Sequence, residues 1–213
     1  MDIKVLLVED HTIVREGLRT VLSKEEDMIV VGEAADGLEG IELARKLVPH
    51  IILMDVSLPN LNGVEATRRI CKENPAVKVI ALSMHSDERF IVEMLRSGAS
   101  GYLLKDCASV ELARAIRIVA EGRVYISPAV AGTIVEGLTR QEPTSSAFGK
   151  LSSREREVVQ LIAEGKSTKE MARHLGLSVK TIEAHRRNIC QKLQIDSIAE
   201  LTKYALRQGL TSL

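Results

Sequence analysis

Along the first 122 residues, apolar positions recur with two different periods. Runs at residues 3–8, 28–31, 51–54, 77–82 and 101–104 are strand-sized and mostly β-branched. Between them, apolar residues fall at helical spacing, as in Ile13, Val14, Leu18, Val21 and Leu22. Five such strand-and-helix units predict a parallel sheet. Its strands are apolar on both faces and must be covered on both, which predicts a doubly wound five-stranded α/β sandwich. Ligands of such a sheet gather at the carboxyl ends of its strands, at the topological switch point.

The pattern weakens over residues 123–149. Residues 128–138 fit a short apolar helix, and Gln141-Glu142-Pro143-Thr144-Ser145-Ser146 has the composition of a linker. The expected organisation is therefore a domain over 1–122, a connection over 123–149 and a second domain over 150–213. That second domain has no strand signal but four helix starts. Ser152-x-x-Glu155, Ser167-x-x-Glu170 and Ser197-x-x-Glu200 are capping-box spacings, and Ser178 is a plain N-cap. Leu175-Gly176-Leu177 makes a tight turn between the second and third helices, so an all-α four-helix domain containing a helix-turn-helix is expected. In the helix over 179–193, Val179, Ile182, Ile189 and Leu193 form an apolar face, which leaves Lys180, Glu183, Ala184, Arg187 and Gln191 outward. The last helix carries a strip of Ile198, Leu201, Ala205 and Leu206 suited to pairing with a twin across two half-sites.

Composition changes this picture little, but charge sharpens it. The 213 residues are 45% hydrophobic and 27% charged, with 29 basic and 29 acidic residues. Residues 1–122 hold 15 Lys and Arg against 20 Asp and Glu, a net of −5, whereas 150–213 hold 12 against 7, a net of +5. A small basic domain suits a phosphate backbone. No apolar run reaches the ~18 residues needed to span a bilayer. Met1-Asp2-Ile3-Lys4 enters the first strand without the flanks of a signal peptide, so a cytoplasmic protein is expected. Cys71, Cys107 and Cys190 are odd in number and widely spaced, the pattern of reduced thiols, with Cys190 open to a redox role.

The chemistry-bearing residues fall at one edge of the predicted sheet. Glu9 and Asp10 end the first strand, Asp55 the third and Ser83 the fourth, and Lys105 follows the fifth. Three crowded carboxylates call for a compensating cation, and hard oxygen ligands with open positions suit Mg²⁺. Asp55 can then act as nucleophile toward a phosphoryl group, with the Lys105 ammonium and the Ser83 hydroxyl taking its oxygens. In the basic domain, Arg187 could read a guanine edge or grip a phosphate, Glu183 could accept from cytosine, and Ala184 allows close approach to a thymine methyl. Lys180, Thr181, Arg186 and Lys192 are expected phosphate contacts, and His185 stands between packing and DNA contact.

Val8-Glu9-Asp10, Met54-Asp55-Val56-Ser57-Leu58-Pro59, Asn62-Gly63, Leu82-Ser83 and Leu104-Lys105 resemble, in order and spacing, the receiver domain of response regulators. Leu151-Ser152-Ser153-Arg154-Glu155-Arg156-Glu157-Val158, with the segments over 165–172 and 177–185, resembles the LuxR-type helix-turn-helix. Together they resemble a response regulator of the NarL/FixJ type. The resemblance implies a flavodoxin-like receiver with Asp55 as phosphoacceptor. It implies a Mg²⁺ site of Asp10, Asp55 and the Ser57 carbonyl, with Glu9 acting through water, and Tyr102 as the switch aromatic. A sensor histidine kinase, double-stranded DNA and RNA polymerase are the implied partners, with a homodimer on activation. The chain departs from many receivers in having Asp106 where Pro follows the lysine, so a trans bond is expected there. His11 beside the acidic pair could look like a metal ligand, but imidazole is a poor match for Mg²⁺, so it is expected to face solvent at a helix start.

Three other functions fit these residues less well. A Mg²⁺-dependent phosphohydrolase would carry a second Asp where Ser57 stands, and an inactive receiver would lack one of the pocket residues. An RNA-binding antiterminator would not need the capped helix-turn-helix. The expected protein is a regulator and not an enzyme, apart from slow autodephosphorylation.

Overall fold

The structure, a computed structural model, describes residues 2–84, 86–107, 109–139 and 150–211. It divides into two compact units, Met1–Glu142 and Pro143–Leu213. The linker composition read at 141–146 lies outside the described residues.

In the first unit, strands β1 (Ile3–Val8), β2 (Met28–Ala34), β3 (Ile51–Asp55), β4 (Lys78–Ser83), β5 (Gly101–Leu104) and β6 (Tyr125–Ile126) form one parallel sheet in the order β2-β1-β3-β4-β5-β6. The helices between them are α1 (Thr12–Leu22), α2 (Gly37–Leu47), α3 (Gly63–Glu73), α4 (Glu88–Arg96) and α5 (Ser109–Ala120), and α6 (Pro128–Thr139) follows β6. Side chains alternate across a strand, and the core follows that alternation. Val5, Leu7, Leu53, Leu82 and Leu103 pack with Leu22 of α1 and with Leu112, Ile116 and Val119 of α5. The residues between them, Leu6, Ile52 and Ala81, are also fully buried, on the side that α2, α3 and α4 cover. Interior β3 is buried along its whole length, while edge β2 is buried only at its two ends.

The expected sheet of five strands has six. Tyr125 pairs with Gly101 and Ile126 with Tyr102, so the sheet runs past the boundary expected at residue 122. Two residues are too few to show an alternating pattern, and β5 supplies the hydrogen bonds that make them a strand.

The second unit holds α7 (Ser153–Ala163), α8 (Thr168–Leu175), α9 (Val179–Leu193) and α10 (Ile198–Arg207). Ser152 and Ser167 form complete capping boxes with Glu155 and Glu170. Ser178 accepts from the Thr181 amide, and Ser197 from that of Glu200. The Ser197 hydroxyl in turn donates to the Glu200 carboxylate. Gly176 ends α8 at φ +63°, a left-handed conformation that glycine adopts without a Cβ penalty, and this turns the chain into α9. Val158, Val159, Leu161, Met171, Ile182, Ile189, Leu201 and Ala205 are buried in this unit. Leu201 and Ala205 are thus spent on their own core, and only Ile198 of the proposed pairing strip is well exposed.

Candidate functional site

The carboxyl ends of β1, β3, β4 and β5 bring together the residues singled out in the sequence. Glu9 and Asp55 are almost fully buried, and the Lys105 ammonium lies between them, 2.8 Å from Glu9 Oε2 and 2.9 Å from Asp55 Oδ2. The Lys105 amide donates to the Ser83 carbonyl, which continues the β4–β5 ladder and fixes where the lysine stem starts. Behind Asp55, a Cβ on Gly63 would stand 1.9 Å from the Asp55 carbonyl oxygen, so only glycine lets α3 begin this close to the aspartate. Asn62 caps that helix, and the Ser57 amide donates to Asp55 Oδ1 at 3.3 Å. The Lys105–Asp106 bond is trans, as expected.

Electrostatics follow from this crowding. Burial, with the Glu9 charge beside it, raises the Asp55 pKa above the usual carboxylate value, against the pull of Lys105. Burial works to lower the Lys105 pKa, but Asp55 and Glu9 outweigh it and the net shift is upward. Tyr102 is fully buried. Burial pushes its hydroxyl up to about 12, with a hydrogen bond from Ser83 acting the other way.

His11 faces solvent at a helix start, as expected, and its ring also borders the pocket. It is the exposed N-cap residue of α1, yet its side chain makes no cap hydrogen bond. Its Nδ1 lies 3.1 Å from Glu9 Oε1 and 3.0 Å from Asp10 Oδ1, at the border of the pocket. The hydrogen bond with Glu9 and the Asp10 charge raise its pKa. Ligand atoms of Glu9, Asp10, His11 and Asp55 all lie within 4.8 Å of one another, a donor set able to hold a metal ion. Glu9 Oε2, Asp10 Oδ1 and Asp55 Oδ2 are buried without a well-aligned hydrogen bond, so charge contacts alone satisfy them.

On α9, Lys180, Glu183 and Arg187 are exposed, and Ala184 and His185 are half-buried. Glu183, Arg186, Arg187, Cys190 and Asp196 line an open depression of about 470 Å³. Val179, assigned to the apolar face, is 40% exposed, while Ile182 and Ile189 are buried.

The family described as response regulator receiver domain matches residues 5–117, and that described as bacterial regulatory proteins, luxR family, matches 149–205. The chain is 38% identical over 213 residues to the oxygen regulatory protein NreC of Staphylococcus carnosus, covering 97% of this chain and 98% of that one. It is also 38% identical over 210 residues to the transcriptional regulatory protein LiaR of Bacillus subtilis, covering 99% and 100%. Among solved structures, the RcsB–DNA complex is similar with a TM-score of 0.61 at 27% identity over 98% of this chain and 99% of that one. The chain is a two-component response regulator with a LuxR-type helix-turn-helix. In this regulator, phosphorylation of a receiver aspartate by a partner histidine kinase controls sequence-specific DNA binding and transcription.

Three of the expected DNA contacts of this regulator have partners inside the protein. Lys192 ion-pairs with the buried Glu155 at 2.7 Å, Arg186 donates to Thr168 Oγ1 at 3.2 Å, and Thr181 Oγ1 lies 2.8 Å from Ser178 Oγ. Sequence reading missed Arg154, which pairs with Glu157 and donates to the Leu175 carbonyl at the turn before α9. Its position in an ordinary charged first turn gave no sign of that reach.

Proposed function

We propose that Asp55 is the phosphoacceptor of this regulator, with Lys105, Ser83 and Tyr102 reading the phosphoryl group. The observation that carries this is the Lys105 ammonium held between Glu9 and Asp55 in a buried pocket at the strand ends. An Asp55 oxygen attacks the phosphorus and the bond to the donor's imidazole nitrogen breaks, leaving an acyl phosphate. Lys105 then moves one contact from Asp55 to a phosphoryl oxygen, and Ser83 donates to another. Drawing Ser83 toward the phosphoryl group acts on Tyr102, which is hydrogen-bonded to it.

Glu9, Asp10, Asp55 and the Ser57 carbonyl would hold Mg²⁺, which when bound neutralises charge on the transferring phosphoryl group. The close approach of these carboxylates and their buried, poorly bonded oxygens fit such an ion. Slow hydrolysis of the acyl phosphate resets the regulator.

On the DNA side, Lys180, Glu183, Ala184, His185 and Arg187 face the major groove. Arg187 reads a base or grips a phosphate, and Lys180 only neutralises a phosphate. Thr181, Arg186 and Lys192 stand at the edge of that face, held by their protein partners. Activation favours a homodimer on paired half-sites, RNA polymerase is the downstream partner, and the setting is the cytoplasm. Among the described residues, no helix is long and apolar enough to cross a membrane.

Incubation of the full chain with acetyl phosphate and Mg²⁺ should add one phosphate by intact mass, and none to Asp55→Asn. Equal labelling of that variant would refute the assignment.

A further inference from the structure

We infer that His11 is a nitrogen ligand of the acidic site, so that this regulator takes a late first-row divalent cation there more tightly than Mg²⁺. The inference rests on the reading above that the strand-end carboxylates form a cation site, and it adds one named donor and a metal preference. His11 Nδ1 stands 3.1 Å from Glu9 Oε1 and 3.0 Å from Asp10 Oδ1. Two ligands at about 2.1 Å from one ion and at right angles to each other are about 3.0 Å apart, so the ring nitrogen already holds a cis-ligand spacing to both oxygens. The backbone contributes to this placement, since the His11 amide also donates to Glu9 Oε1 at 3.1 Å. The imidazole makes no hydrogen bond to cap α1, and its Nδ1 contacts the two carboxylates that would share the ion, so binding replaces the Nδ1 proton by the metal.

An all-oxygen pocket suits Mg²⁺, whereas an imidazole added to carboxylates favours Co²⁺, Ni²⁺, Cu²⁺ or Zn²⁺. Glu9, Asp10 and Asp55 bring three negative charges and Lys105 one positive, so a dication is balanced once His11 binds as the neutral ring. Cation choice then sets the occupancy of the phosphorylation pocket when both kinds of ion are present.

The test uses Co²⁺ and Mg²⁺ as probes of the full chain, with titration calorimetry for affinity and the visible absorption of Co²⁺ for its ligands. The wild type, His11→Ala, Asp10→Asn and Asp55→Asn are compared. His11 is exposed and sits at a helix start, so its replacement leaves the core untouched. The expected result is one Co²⁺ site that tightens on Mg²⁺ by at least about tenfold, with an absorption band that changes in His11→Ala. That variant should lose about tenfold or more in Co²⁺ affinity and less than about twofold in Mg²⁺ affinity. The two carboxylate variants should lose both ions, which separates this site from any formed by the other four histidines. Unchanged Co²⁺ affinity and spectrum in His11→Ala, with loss in the carboxylate variants, overturns the His11 assignment and leaves the cation site standing. Mg²⁺ and Co²⁺ binding indifferent to Asp10 and Asp55 overturns the cation site itself, and the inference with it.

Discussion

At the scale of single residues, the pocket holds charges whose cost is paid by function. Asp55 has its pKa raised in the fold, so its charged form is less favourable there than in the unfolded chain. Stability from this group is therefore intact below the unfolded pKa and is lost as pH rises through the folded one. Asp55→Asn removes that loss, and its melting temperature without divalent metal at neutral pH should lie above that of the wild type. Each kcal/mol recovered shows as about 2–4 °C in a chain of this size, and a calorimetric scan that finds the variant less stable contradicts the account. On the DNA face, Arg187→Ala and Lys180→Ala separate reading from gripping. A lost base contact costs about 1–3 kcal/mol and relaxes one operator position, whereas a lost phosphate contact weakens all sequences and lowers the salt slope by about one. Binding to operator variants at several salt concentrations decides between them, and sequence-blind losses for both would mean that Arg187 does not specify.

At the scale of elements, the first turn of α7 braces the helix-turn-helix. Arg154 holds the carbonyl at the end of α8, and Glu155 holds Lys192 near the end of α9. Burial works to raise the Glu155 pKa, but the Lys192 and Ser152 hydrogen bonds outweigh it and the net shift is downward. The stability it contributes is present above the unfolded carboxylate pKa and is lost as pH falls through the folded one. Lys192→Met should flatten that acid limb and cost about 0.2–1 kcal/mol, since Lys192 is half-exposed. Its salt slope for DNA should stay that of the wild type. A slope lowered by about one unit would return Lys192 to the phosphate contacts. The capping spacings made these helices legible, because a capping box is a local signal four residues long. The Leu175 carbonyl held by Arg154 and the Glu155 carboxylate held by Lys192 lie 21 and 37 residues away in sequence and leave no such signal.

At the scale of the molecule, a unit with net charge −5 is tethered to one with +5. Phosphates attract the second and repel the first, whatever the orientation of the two. The fragment over 150–213, which lies within a compact unit of its own, should therefore bind non-specific DNA more tightly than the unphosphorylated full chain at low salt. The gap should close as ionic strength rises toward a Debye length of about 8 Å. Anisotropy titrations across salt check this, and a gap that widens with salt removes the charge account. The sequence alone determined the five long strand-and-helix units, the α9 bounds and the collection of Glu9, Asp10, Asp55, Ser83 and Lys105 at one sheet edge. Periodicity and strand ends are properties of short stretches, and a parallel sheet aligns its strand ends whatever the loops do. Tertiary structure alone decided the two-residue β6 and the burial of Leu201 and Ala205. It also decided which cations of α9 are spent on the protein. Each of these depends on a partner far along the chain, and which partner arrives is set by packing, which no local pattern encodes.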